Sequence, residues 1–167
     1  MKYSKQATEN YAKSIRKKDC LELIDTLIRR EGHEGSTGFN GNEVVLNMDC
    51  VEEKKANQEG RLLNKSMDSA FIAEDETGTQ QEIVLVEFRF NYQSLKNLDR
   101  NSLLGKVAGS TSALGNPTNM HDEYYFVFNP DLKQQAISRF NRMNPAIPQQ
   151  YKAVDISDVK DMFFDIA

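Results

Sequence analysis

Tryptophan is missing from this chain, and cysteine, histidine and proline are scarce: two Cys, two His and four Pro in 167 residues. Two cysteines are too few for a disulfide framework, and neither Cys20 nor Cys50 has a partner at zinc spacing. Each sits in an apolar pattern, so both are expected to be reduced, buried, small side chains. His33 and His121 lie in Gly- or Asn-containing stretches, and neither has a Cys or His at zinc spacing, which argues against zinc. Long apolar runs are missing as well. No stretch approaches the ~20 residues of a membrane span, and the basic start MKYSKQATENYAKSIRKK lacks the apolar centre of a secretory signal. There is no G-x-S-x-G, and the glycines at 32, 35, 38 and 41 are followed by no Gly-Lys-Ser/Thr, so neither a nucleophile elbow nor a phosphate loop is encoded. Residues 32–41 read as a loop.

What remains is a polar chain, 39% hydrophobic and 28% charged, with a net charge of −4. Its length predicts one domain over 1–167 with a real core, residues 1–17 forming a helical arm. A cytoplasmic protein without a membrane partner is the expectation. The acidic balance weighs against a broad nucleic-acid surface and suits a basic protein partner. Local basic clusters nonetheless occur at Arg16-Lys17-Lys18, at Arg29-Arg30, and at Lys133, Arg139 and Arg142.

Hydrophobic period gives the elements. Cys20, Leu21, Leu23, Ile24, Leu27 and Ile28 predict a helix over 19–30, stopped at Gly32. Alternation predicts a strand over 43–51, and the charged run 52–60 reads as an exposed turn or hairpin tip. A short strand follows at 69–73, then a polar Gly-containing loop and the strongest strand of the chain, EIVLVEFRFNY at 82–92. A small-sided helix is expected from Asn101 or Ser102 to Leu114. After it come an aromatic strand at 124–128, a helix opening at Asn129-Pro130, a short edge strand at 151–154 and a final helix capped by Ser157, with Val159, Met162, Phe163 and Ile166 inward. The fold class is therefore α/β (α+β): a central mixed sheet of about four to five strands, with an antiparallel meander and helices on both faces.

Side chains alternate along a strand, so Glu87 and Arg89 project on one face of 82–92, about 6–7 Å apart. If 69–73 pairs with this strand, Asp68 arrives at its outer end. An Asp and a Glu converging at a sheet edge can hold a divalent cation through oxygen ligands, and such a cation activates water against a phosphodiester. The bland counterpart is a strand whose polar face meets water, with Glu87 and Arg89 paired to neighbours. Glu22 and Asp25 on the preceding helix could support the cation.

Asp68, the hairpin and VLVEFRF resemble the PD-(D/E)xK phosphodiesterase superfamily, whose signature is an Asp at one strand start and (D/E)-x-K at the end of the next. The order of elements from about Lys18 to Phe128 follows the same pattern. The resemblance implies a restriction-endonuclease-like core, a metal-dependent nuclease activity, Asp68 and Glu87 as ligands for Mg²⁺ or Mn²⁺, and nucleic acid as partner. Arg89 departs from it, standing where the family has Lys. Arginine does not readily exchange a proton, so the lysine would come from further on, Lys106 or Lys96, or catalysis would be impaired. The alternative from another class is a non-catalytic acidic binding protein, such as an immunity protein or inhibitor of a basic partner.

Overall fold

The computed structural model describes residues 1–164. The sheet is built on β5, Gln81–Arg89, which is buried from Ile83 to Phe88. β4, Ser69–Glu74, pairs antiparallel with it from Ser69 opposite Val86 to Glu74 opposite Gln81. The Asp75 carboxylate closes the turn by accepting from the Thr79 and Gln80 N–H groups, and Gly78 supplies a positive φ of 70°. β6, Tyr124–Phe128, runs parallel to β5 on its other side, and β7, Tyr151–Val154, runs parallel to β6 at the edge. β3, Val44–Asn47, lies antiparallel to β4. β2, Leu21–Leu23, borders β3, while β1, Lys2–Tyr3, pairs with the far end of β4. Among the described residues the mixed sheet thus has seven strands, in the order β2-β3-β4-β5-β6-β7 with β1 beside β4. The two beyond the expected core, β1 and β2, are two and three residues long and carry no readable alternation.

The two faces of β5 feed two cores, as alternation requires. Ile83 and Leu85 join Ile72, Phe126 and Phe128 under four helices: α1 (Lys5–Ser14), α3 (Met48–Glu59), α4 (Arg100–Ala113) and α5 (Lys133–Asn141). Val84, Val86 and Phe88 face the other side, against α2 (Ile24–Arg30), α6 (Ile156–Val159) and the π-helical turn Lys160–Phe164. Each fully buried side chain of this size contributes about 1.5–3 kcal/mol. The arm at the N-terminus is tied in. Thr8 is fully buried, and its hydroxyl oxygen accepts the Ile72 N–H at 3.0 Å.

Several expected boundaries move. Helix 19–30 is shorter: Lys18–Cys20 is a 3-10 turn, Leu21–Leu23 is strand, and α2 begins only at Ile24. The strand expected over 43–51 stops at Asn47, whose side chain accepts the Cys50 N–H and caps α3. Residues 52–59 are therefore helix and not an exposed tip; Glu52 is buried, and Gly60 ends α3 in the left-handed region. Val44, Leu46, Met48 and Cys50 look like one alternating strand only because a helix entered at Asn47 buries Met48 and Val51 on the same side. Asp99 caps α4, and Asp155 caps α6 in a capping box with Asp158. The inward placement expected of Ile166 lies outside the described residues.

The cysteines are not reduced. Cys20 and Cys50 form a disulfide with their Cα atoms 5.5 Å apart. The pairing of β2 with β3, Leu21 opposite Leu46, brings them together, and no local pattern announces it. The bond closes a loop of 30 residues, so loop-closure entropy alone sets its contribution at roughly 3–4 kcal/mol. The double variant Cys20→Ser/Cys50→Ser is expected to lose about 3 kcal/mol in urea unfolding, as is wild type with reductant. Equal midpoints for oxidised, reduced and variant protein would contradict this role.

Candidate functional site

Beyond Leu85 the α4-side face of β5 becomes charged. Glu87 continues that row and is only 4% exposed. Its Oε1 lies 2.9 Å from Lys106 Nζ and 3.3 Å from Arg89 Nε. Its Oε2 is buried and receives no hydrogen bond among the described residues. Arg89 sits at ion-pair distance from Glu87 without hydrogen-bond alignment. Its guanidinium lies 5.3 Å from the centre of the Tyr92 ring and donates to the Tyr92 hydroxyl.

Lys106 reaches Glu87 because α4 is small-sided where the chain crosses it. The extended segment 61–67 passes over Gly105 and Gly109; a Cβ at Gly109 would fall 1.8 Å from the Lys65 carbonyl oxygen. Ser110 Oγ accepts the Met67 N–H at 2.7 Å. The segment is anchored at its start by Arg61, which forks onto buried Glu52 at 2.8 and 2.9 Å. Further on, Ser66 donates to Asp49 at 2.6 Å, and its carbonyl accepts from Lys106 Nζ at 3.0 Å. Small residues on α4 therefore serve close backbone approach by this strap.

The strap delivers Asp68, which is 7% exposed and immediately precedes β4. Its Oδ2 accepts the Phe88 N–H at 2.6 Å, which seats the carboxylate against β5 beside Glu87. Burial raises the Asp68 pKa to about 8, with the Glu87 charge and then Glu31 adding to the shift against the Phe88 hydrogen bond. Burial also raises Glu87, opposed first by Lys106 and then by Arg89.

Glu31 is the residue that sequence reasoning missed. It caps the C-terminus of α2, half-buried, and its charge raises both Asp68 and Glu87. Burial raises its own pKa, with Asp49 adding to the effect. What holds it there is the loop after α2: Gly32 is packed on the Asn91 side chain with φ 98°, and the His33 ring lies tilted against Phe90 with centroids 5.0 Å apart. A lone Glu after Arg-Arg at a helix end gives no signal in the sequence. Glu22 and Asp25, expected to assist, turn elsewhere. Glu22 takes both arms of Arg30 at 2.7 and 2.8 Å, and Asp25 accepts from Thr37 and Arg29. Lys96 lies in the loop after β5 and lines a different cleft. The structure thus brings together Asp68, Glu87, Arg89 and Lys106, with Glu31 close by.

A divalent cation fits the donor set. Glu87 Oε2 is an unpartnered buried oxygen, and the Glu87 charge raises the proton affinity of the adjacent Asp68. Among the described residues no three His, Cys, Asp or Glu side chains are grouped as a metal centre. A cation here would rest on Asp68 and Glu87 and keep water in its other positions, the habit of Mg²⁺. A cleft of about 570 Å³, lined by Gly32, His33, Asn91 and Tyr92 among others, opens at the exit of β5.

Comparison with protein-family models, with curated proteins and with solved structures gave no match. Among the described residues no helix is long and apolar enough to cross a membrane. The reading of the site therefore rests on its geometry.

The raised pKa of Asp68 fixes a sign. The folded form holds the proton more tightly than the unfolded chain, so its contribution is complete at low pH and is lost as pH rises through the folded pKa. Metal-free wild type is expected to lose stability between about pH 4 and about 8, and Asp68→Asn to flatten that slope. Thermal melts in EDTA across this range check it; parallel slopes for the two proteins would contradict it.

Proposed function

We propose that this chain is a metal-dependent phosphodiesterase of the PD-(D/E)xK kind, acting on nucleic acid, with its centre at Asp68, Glu87 and Lys106. The observation that carries the reading is the position of Lys106. Strand β5 offers Glu-x-Arg where the resemblance calls for Glu-x-Lys, and α4 places a lysine 2.9 Å from that Glu.

Asp68 and Glu87 would hold Mg²⁺ or Mn²⁺, which when bound supplies Lewis-acid stabilisation and an activated water. The residues of the chain do the remainder. The Phe88 N–H fixes the Asp68 carboxylate. The strap carbonyl at Ser66 and Glu87 hold the Lys106 side chain, which would stabilise charge on a phosphoryl oxygen. Arg89, backed by Tyr92, joins Lys106 in opposing the burial that raises the Glu87 pKa.

A second reading is a nuclease-like fold that docks a basic protein partner in place of cutting. It is favoured by the net charge of −4, which suits a basic partner, together with Leu62 and Leu63, 90% and 65% exposed on the strap that leads to the centre.

Cleavage of plasmid, single-stranded DNA and RNA with Mg²⁺ or Mn²⁺ separates the two. Metal-dependent cleavage is expected, with Lys106→Met lowering the rate by roughly a hundredfold or more. Adding Arg89→Lys to Lys106→Met is expected to restore part of it, because a lysine returns to the strand. Absence of metal-dependent cleavage on all three substrates, or full activity in Lys106→Met, would overturn the proposal.

A further inference from the structure

A second cleft, about 710 Å³, lies between the loop after β5 and the exposed side of α5. Lys96 comes from the loop; Gln134, Gln135, Ser138, Arg139 and, just past the helix end, Arg142 come from the other wall. Gln135, Arg139 and Arg142 follow at i, i+4 and i+7, so they share one helix face. Among the described residues no carboxylate lines the cleft. That is a local reversal of sign in a chain with 25 acidic and 21 basic residues.

The three cations are also unspent. Lys106, Lys133, Arg30, Arg61 and Arg89 all sit within ion-pair distance of carboxylates. Among the described residues Lys96, Arg139 and Arg142 form no ion pair. Arg139 donates one terminal N–H to the Leu98 carbonyl at 3.2 Å, and Arg142 donates its Nε–H to the Ser138 carbonyl at 3.2 Å. These contacts steady the side chains against backbone and leave the other guanidinium N–H groups for an acceptor in the cleft. Guanidinium forks suit phosphate oxygens, and the flanking Gln and Ser groups add neutral donors.

We propose that this cleft binds the sugar–phosphate backbone of a nucleic-acid strand. Three cations spread across one cleft suit a ligand with repeated phosphates better than a lone anion. The lining offers only Leu95 as an apolar anchor, which disfavours an acidic protein. The cleft shares no lining residue with the Asp68–Glu87 centre. Its binding does not depend on hydrolysis; if the phosphodiesterase reading holds, the same strand is the substrate.

Binding of a labelled oligonucleotide of about 20 nucleotides, single-stranded and as duplex, is measured by fluorescence anisotropy in EDTA, where no metal-dependent cleavage occurs. Binding is expected in at least one form, and three phosphate contacts on a single strand give a log–log salt slope of about −2. The variant Lys96→Gln/Arg139→Gln/Arg142→Gln should weaken binding tenfold or more and flatten the slope. Lys96→Glu/Arg142→Glu, which leaves the Arg139–Leu98 contact in place, should do the same with an unchanged melting temperature. Arg16→Gln/Lys17→Gln/Lys18→Gln, a basic cluster elsewhere, should bind like wild type. Absent binding, equal loss in that control, or competition by pyrophosphate or polyglutamate at the strand's own affinity would overturn the proposal. Loss of binding with cleavage intact, or the reverse, shows which of the two readings has failed.

Discussion

Glu87 is a carboxylate taken out of water, and much of the structure around it answers that constraint. Desolvating an ion costs several kcal/mol even after relaxation, and the attraction of a nearby opposite charge offsets it only when geometry is good. Here the offset comes from Lys106 on α4 and Arg89 two residues along β5. Gly109 and Ser110 let the strap 61–67 lie on α4, and its Ser66 carbonyl helps to hold Lys106 there. The strap lies there because Arg61 and the Asn64 N–H both fasten to buried Glu52. The same strap then sets Asp68 on the Phe88 N–H, next to the carboxylate that most opposes its ionisation. A cluster with one oxygen unpartnered and two carboxylates in conflict is poorly solved as pure structure. Under the proposed function, a divalent cation would partner that oxygen and offset the repulsion between the two carboxylates.

The placement also follows from topology. β5 and β6 are parallel, and ligands of open α/β sheets gather beyond the carboxyl ends of such strands. Arg89, Tyr92 and the loop to Leu98 leave β5 at that end, and α5 follows β6 there. Asp68 joins them because β4 runs the other way, so its start lies beside the end of β5. One region of the sheet thus carries the buried carboxylates, the cleft at the β5 exit and the cationic cleft beside α5.

The parts legible in the sequence are those dictated by local pattern. The alternation of Ile83 to Phe88 fixed both faces of β5, and Asp75 and Gly78 marked its hairpin. The small residues Ala108 to Ala113 suggested a helix lying close against a sheet; the close approach that the structure shows is instead that of the backbone strap at Gly109. Asp68, Glu87 and Lys106 could be named because strand ends and hairpins are local features. What failed was non-local. The disulfide needs β2 and β3 paired, and α3 was hidden because its first apolar residues continue the strand's alternation. Glu31 depends on the Gly32–Asn91 contact across 59 positions, which no period in the chain encodes.

The most direct test of the Asp68–Glu87–Lys106 centre is the binding of Mn²⁺ followed by electron paramagnetic resonance, with wild type, Asp68→Asn and Glu87→Gln. A specific bound Mn²⁺ in wild type, weakened at least tenfold in each variant, is the outcome expected of two carboxylates that share one cation. No bound Mn²⁺ in wild type, or binding indifferent to both substitutions, would make the cluster a buried ion network and remove the basis for a metal-dependent activity.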